Sequence, residues 1–102
     1  MIVSFDNDYL EPLYEGQEVK GKPRFSQSVI KSFITKVNIL KYVDNSHGLR
    51  AYRSLNFEKL EGNENLYSIR IDRRYRLEFR LESYGVTLLE MVVIEDLTNH
   101  YQ

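Results

Sequence analysis

The sequence predicts an α+β fold, with N-terminal helices packed on a small twisted antiparallel β-sheet, in a single domain spanning residues 1–102. Three observations carry that expectation. Residues 25–43 follow a helical period, residues 66–81 alternate as strands do, and residues 87–94 form a second, nearly continuous apolar strand. With 42% apolar and 13% aromatic residues, 102 residues suffice to close one core.

Met1 to Phe5 alternates weakly and is apolar enough for a first short strand. Asp6-Asn7-Asp8 offers N-cap side chains for a short helix over Tyr9–Tyr14, ended by Glu15-Gly16. Residues 16–24 hold Gly16, Gly21 and Pro23 and read as a loop carrying Lys20, Lys22 and Arg24. The main helix runs from Phe25 to Val43. Val29, Ile30, Phe33, Ile34, Val37, Leu40 and either Tyr42 or Val43 make its apolar stripe. Asp44-Asn45-Ser46 ends it, and His47-Gly48-Leu49 begins a connecting turn. Leu55–Leu60 is expected as a short strand leading into a turn at Glu61–Asn65, and Glu82–Gly85 as a second turn. Thr87–Ile94 is apolar on both faces apart from Glu90, which suits a central strand. The polar tail from Glu95 ends in His100, Tyr101 and Gln102.

The most informative stretch is Leu66–Leu81, two strands joined at Asp72-Arg73, with five arginines in sixteen residues. Tyr67, Ile69 and Ile71 share one face, and Ser68 and Arg70 the other. In the second strand Tyr75, Leu77, Phe79 and Leu81 oppose Arg74, Arg76, Glu78 and Arg80. Residues paired across a hairpin lie on the same face, so apolar must meet apolar. Arg70 is therefore opposite Arg74 or Arg76. Like charges so placed repel, which favours an anion over that face. The alternative is a solvated face neutralised by Glu78 and nearby carboxylates.

The net charge of −1 conceals an asymmetry: −5 over residues 1–19, +8 over 20–80 and −4 over 81–102. A basic middle suits a polyanion-binding surface unless the acidic ends fold back over it. The chain has no cysteine, which excludes disulfides and thiolate metal sites. No apolar run reaches the roughly 20 residues that span a bilayer, and no secretory signal is apparent. A cytoplasmic protein is expected.

Three features together resemble the RelE/ParE superfamily of toxins, and within it the HigB-like branch of plasmid-maintenance killer proteins. They are the turn Lys59-Leu60-Glu61-Gly62, the pattern Tyr67-Ser-Ile-Arg70 followed by Arg74-Tyr-Arg-Leu-Glu-Phe79, and the Asn99-His100-Tyr101 tail. The likeness covers residues 50–101, and the helical half in layout. It implies a RelE-like fold and a metal-independent, cofactor-free endoribonuclease that cuts mRNA at the ribosome. It also implies a cognate antitoxin, typically a HigA-like helix-turn-helix protein.

In that chemistry the ribose 2′-hydroxyl attacks the adjacent phosphate, which calls for a base, cations and an acid. Arg70 and Arg76 match the family's hairpin arginines and would stabilise the transition state. Arg73 and Arg74 would grip RNA phosphates, with Lys59 in reserve. His100 matches the tail histidine and would act as acid or base, while Tyr101 would stack on a base or supply a hydroxyl. Glu58 stands where some HigB proteins carry histidine, and is either the general base or a salt-bridge partner of the arginine face. Arg80 reads equally as a phosphate contact or an ordinary surface charge, and His47 as a surface residue. Two other functions are compatible with the fold: a ParE-like inhibitor of a protein target such as DNA gyrase, and an inactive antitoxin-binding module.

Overall fold

A computed structural model describes residues 1–20, 25–62, 64–86 and 89–99. Strand β1 (Ile2–Phe5) leads to a short helix α1 (Leu10–Tyr14) and then to the main helix α2 (Gln27–Tyr42). Two 3₁₀ segments, Ser46–Ala51 and Arg53–Leu55, connect α2 to strands β2 (Glu58–Lys59), β3 (Leu66–Arg70), β4 (Tyr75–Tyr84) and β5 (Leu89–Asn99). The sheet order is β1-β5-β4-β3-β2. The helices and a five-stranded sheet give the α+β architecture that the sequence predicts, with one difference. The sheet is mixed, because β1 pairs with β5 in parallel while the other pairs are antiparallel. The helices intervene between β1 and the rest of the sheet, so β1 is free to enter in either direction.

Helix α2 begins at a side-chain cap, Ser26 Oγ accepting from the Val29 amide at 3.2 Å. Its buried residues Val29, Phe33, Val37 and Leu40 recur at three and four positions, as one stripe must. Val43 rather than Tyr42 completes the stripe: Val43 is buried, whereas Tyr42 is 78% exposed. The stripe packs on Ile69, Leu77, Phe79, Val92, Ile94 and Leu97, all from one face of the sheet, with Leu10 and Leu13 of α1 closing the side. The opposite face carries Ser68, Arg70, Arg76, Glu78 and Arg80. For α1 the N-terminal cap comes from Asn7, whose Oδ1 accepts from the Tyr9 and Leu10 amides at 3.0 and 2.9 Å.

Three expected boundaries shift. The Leu55–Leu60 strand shrinks to Glu58–Lys59 because Leu55 is fully buried in the core by a 3₁₀ turn, after which Asn56 turns left-handed at φ +46°. The turn expected at Glu82–Gly85 is displaced along the chain, since β4 continues to Tyr84, Gly85 follows at φ +78°, and β5 begins at Leu89. The polar tail extends β5 as far as Asn99. There the register shifts at Glu78/Phe79, so that Asp96 and Thr98 align with Glu78 and Arg76 while Leu97 turns to the core. Glu90, the exception in an apolar strand, accepts from the Ser46 amide and hydroxyl at 2.7 and 2.9 Å and ties β5 to the segment after α2. Among the described residues no helix is long and apolar enough to cross a membrane.

Candidate active site on the outer sheet face

The β3–β4 register places Arg70 opposite Arg76, one of the two pairings expected, with Ser68 opposite Glu78. The hairpin turns at Ile71–Arg74. Asp72 Oδ1 accepts from the amides of Arg74 and Tyr75, each at 2.8 Å, so a side chain closes the loop and leaves Arg73 and Arg74 exposed at the tip. The tip is held to α2 by Ser32 Oγ, which donates to the Ile71 carbonyl at 2.6 Å.

Arg76 and Arg70 differ sharply in surroundings. The Arg76 side chain is only 12% exposed. Its Nε donates to Ser68 Oγ at 2.9 Å, and its Nη2 donates to the Asn56 carbonyl at 2.7 Å. Glu58 Oε1 lies 3.6 Å from the same Nη2, from a side chain 51% exposed. Burial holds the Arg76 guanidinium below its ordinary pKa; Glu58 opposes that shift, Arg70 adds to it and Glu78 opposes it. Arginine nevertheless stays charged throughout the physiological range. Arg70 is exposed and makes no ion pair among the described residues. Beyond Arg76, Thr98 Oγ1 donates to Glu78 Oε2 at 3.1 Å.

Of the residues singled out from sequence, Arg70, Arg76 and Glu58 come together, with Arg73 and Arg74 at the adjoining tip. Lys59 does not join them. It pairs with Tyr67, on the opposite side of the sheet from Glu58, which pairs with Ser68. His100 and Tyr101 lie outside the described residues. Arg80 is more than a surface charge, for it is bridged by Glu95, by Glu82 at 3.3 Å and by Asp6 at 3.6 Å. The acidic ends thus do fold back, onto Arg80. Sequence reasoning missed Ser68 and Asn56 as partners of Arg76. Ser68 was readable as a member of the arginine face, but the Asn56 contact is through a backbone carbonyl and left no side-chain signal.

A helix-backed sheet that presents a held arginine beside one with no ion pair among the described residues is an arrangement suited to gripping a phosphate chain. The chain is similar to the YoeB/ParE toxin from Agrobacterium tumefaciens over 99% of this chain and 100% of that one, at 14% identity and a TM-score of 0.60, a likeness of fold. Residues 3–92 match the family described as the RelE-like toxin of type II toxin-antitoxin system HigB, and the chain belongs to that family. It is a type II toxin, with an antitoxin as its partner. No curated protein matches it.

Proposed function

We propose that the chain is an endoribonuclease that cleaves messenger RNA at the ribosome, in the cytoplasm, and so arrests translation. The observation that carries this reading is Arg76, a guanidinium clamped by Ser68 and Asn56 and facing Arg70, which makes no ion pair among the described residues. A fixed cation beside an exposed one on an open sheet suits a pentavalent phosphate, whose extra negative charge exists only in the transition state.

Arg70 and Arg76 stabilise that phosphorane. Glu58, exposed and beside them, takes the 2′-hydroxyl proton; the 2′-oxygen bonds to phosphorus as the 5′-oxygen leaves, giving a cyclic phosphate and a free 5′-hydroxyl. His100 supplies the proton to the leaving oxygen, and Tyr101 stacks on a base. Arg73 and Arg74 hold flanking phosphates. Lys59, on the other side of the sheet, drops out of the constellation. The antitoxin is read as a HigA-like helix-turn-helix protein that masks the arginine face.

Induction of the chain alone in bacteria, with mapping of mRNA 5′ ends, tests this. In-frame cuts should accompany growth arrest and disappear with Arg76→Ala or His100→Ala, as loss of a transition-state donor costs about a hundred- to a thousandfold in rate. Arrest without RNA cuts would transfer the reading to inhibition of a protein target such as gyrase. Folded protein without arrest would leave an antitoxin-binding module.

A further inference from the structure

The contact between Arg76 and Glu58 is unequal. The arginine is anchored on both sides by parts of the fold, through the fully buried Ser68 of β3 and the backbone of Asn56. Moving the guanidinium would strip a buried hydroxyl of its partner. Among the described residues Glu58 has no such anchor. It stands on a two-residue edge strand, half exposed, and its 3.6 Å approach to Nη2 is longer than the roughly 2.7–2.9 Å of a direct charge-assisted hydrogen bond. An RNA phosphate arriving over Arg70 and Arg76 competes with Glu58 for the same cation, and the carboxylate is the partner able to give way.

We infer that Glu58 is an exchangeable counter-ion of an immobile Arg76, displaced by substrate phosphate and thereby freed to act as the base. The inference rests on the ribonuclease reading above and adds the order of events. In the free protein Glu58 neutralises part of the charge on Arg76, a charge that burial and Arg70 make costly to hold. Phosphate binding replaces one anion by another, so the cation remains compensated throughout. The released carboxylate stays beside the scissile nucleotide. It accepts the 2′-hydroxyl proton as the 2′-O–P bond forms and the P–O5′ bond breaks. The leaving oxygen takes a proton from the general acid, and Glu58 returns its own to solvent.

Exchange makes binding and chemistry respond oppositely to one substitution. The probe is a ribosome programmed with mRNA carrying 2′-deoxynucleotides in the decoding-site codon, which binds without being cut; the all-ribose mRNA reports single-turnover cleavage. Glu58→Gln should tighten binding of the deoxy probe roughly two- to fivefold, the range of an exposed charge pair, while slowing cleavage about a hundredfold. In a Ser68→Ala background the gain in binding should shrink, because the guanidinium no longer waits in place. Binding that is unchanged or weaker in Glu58→Gln would overturn the exchange while leaving the ribonuclease intact. Wild-type protein that fails to bind the programmed ribosome would overturn the ribonuclease reading, and the exchange with it.

Discussion

Arg70 and Arg76 are a cross-strand pair, and deleting either one should have a different structural cost. Arg70 is exposed and without an ion pair among the described residues, so Arg70→Ala should slow cleavage and change the unfolding free energy by no more than the usual surface range of about 0.5 kcal/mol. Arg76→Ala removes the donor to a hydroxyl with no access to water. Leaving Ser68 unsatisfied should cost about 1–3 kcal/mol in addition to the lost activity. Denaturant unfolding of the two variants separates these outcomes. The arginine pair was legible from alternation alone, because strand period assigns faces without knowledge of anything beyond the hairpin. The clamp was not legible. It depends on where a distant backbone carbonyl ends up, and Asn56 reaches Arg76 only because Leu55 is drawn into the core just before it.

Elements were legible where local chemistry and burial agree. Helix α2 has a serine cap, a stripe of correct period and few competing signals, and it forms as read apart from two residues at its start and one at its end. Where tertiary burial overrides local pattern the reading slipped. Leu55 counts as a strand residue by alternation but is a core anchor by position, and Leu97 is the one apolar side chain that carries β5 through a polar tail. The segment after α2 is governed by close approach. A Cβ added at Gly48 would lie 2.9 Å from Val43 Cβ, itself buried at the end of the helix stripe. Gly48→Ala should therefore destabilise by about 1–3 kcal/mol, as overpacking does, and lower the melting temperature by several degrees. A melt equal to wild type would mean that the turn opens at no cost.

At the scale of the whole molecule, the segmental charges of −5, +8 and −4 are redistributed by the fold. Asp6 from the N-terminal segment and Glu82 and Glu95 from the C-terminal one gather on Arg80, so one end of the outer face is neutralised. Among the described residues, the hairpin end of that face keeps Arg70 and the clamped Arg76, with Arg73 and Arg74 exposed at the adjoining tip, to meet a polyanion. Net charge could not foretell this, since it depends on β1 and β5 lying side by side. The two faces of β4 now carry separate duties, one residue apart. Leu77 is fully buried between α2 and the sheet, and Leu77→Ala should cost about 2–5 kcal/mol from lost burial and the cavity left behind. Its side chain lies on the core face, away from the arginines, so whatever fraction remains folded should cleave at the wild-type rate per folded molecule. Arg76→Ala should do the converse, keeping most of the protein folded and abolishing cleavage. Measuring the folded fraction by circular dichroism beside single-turnover cleavage distinguishes the two. If Leu77→Ala lost rate beyond its loss of folded protein, the arginine face would depend on core packing more tightly than the alternation of β4 implies.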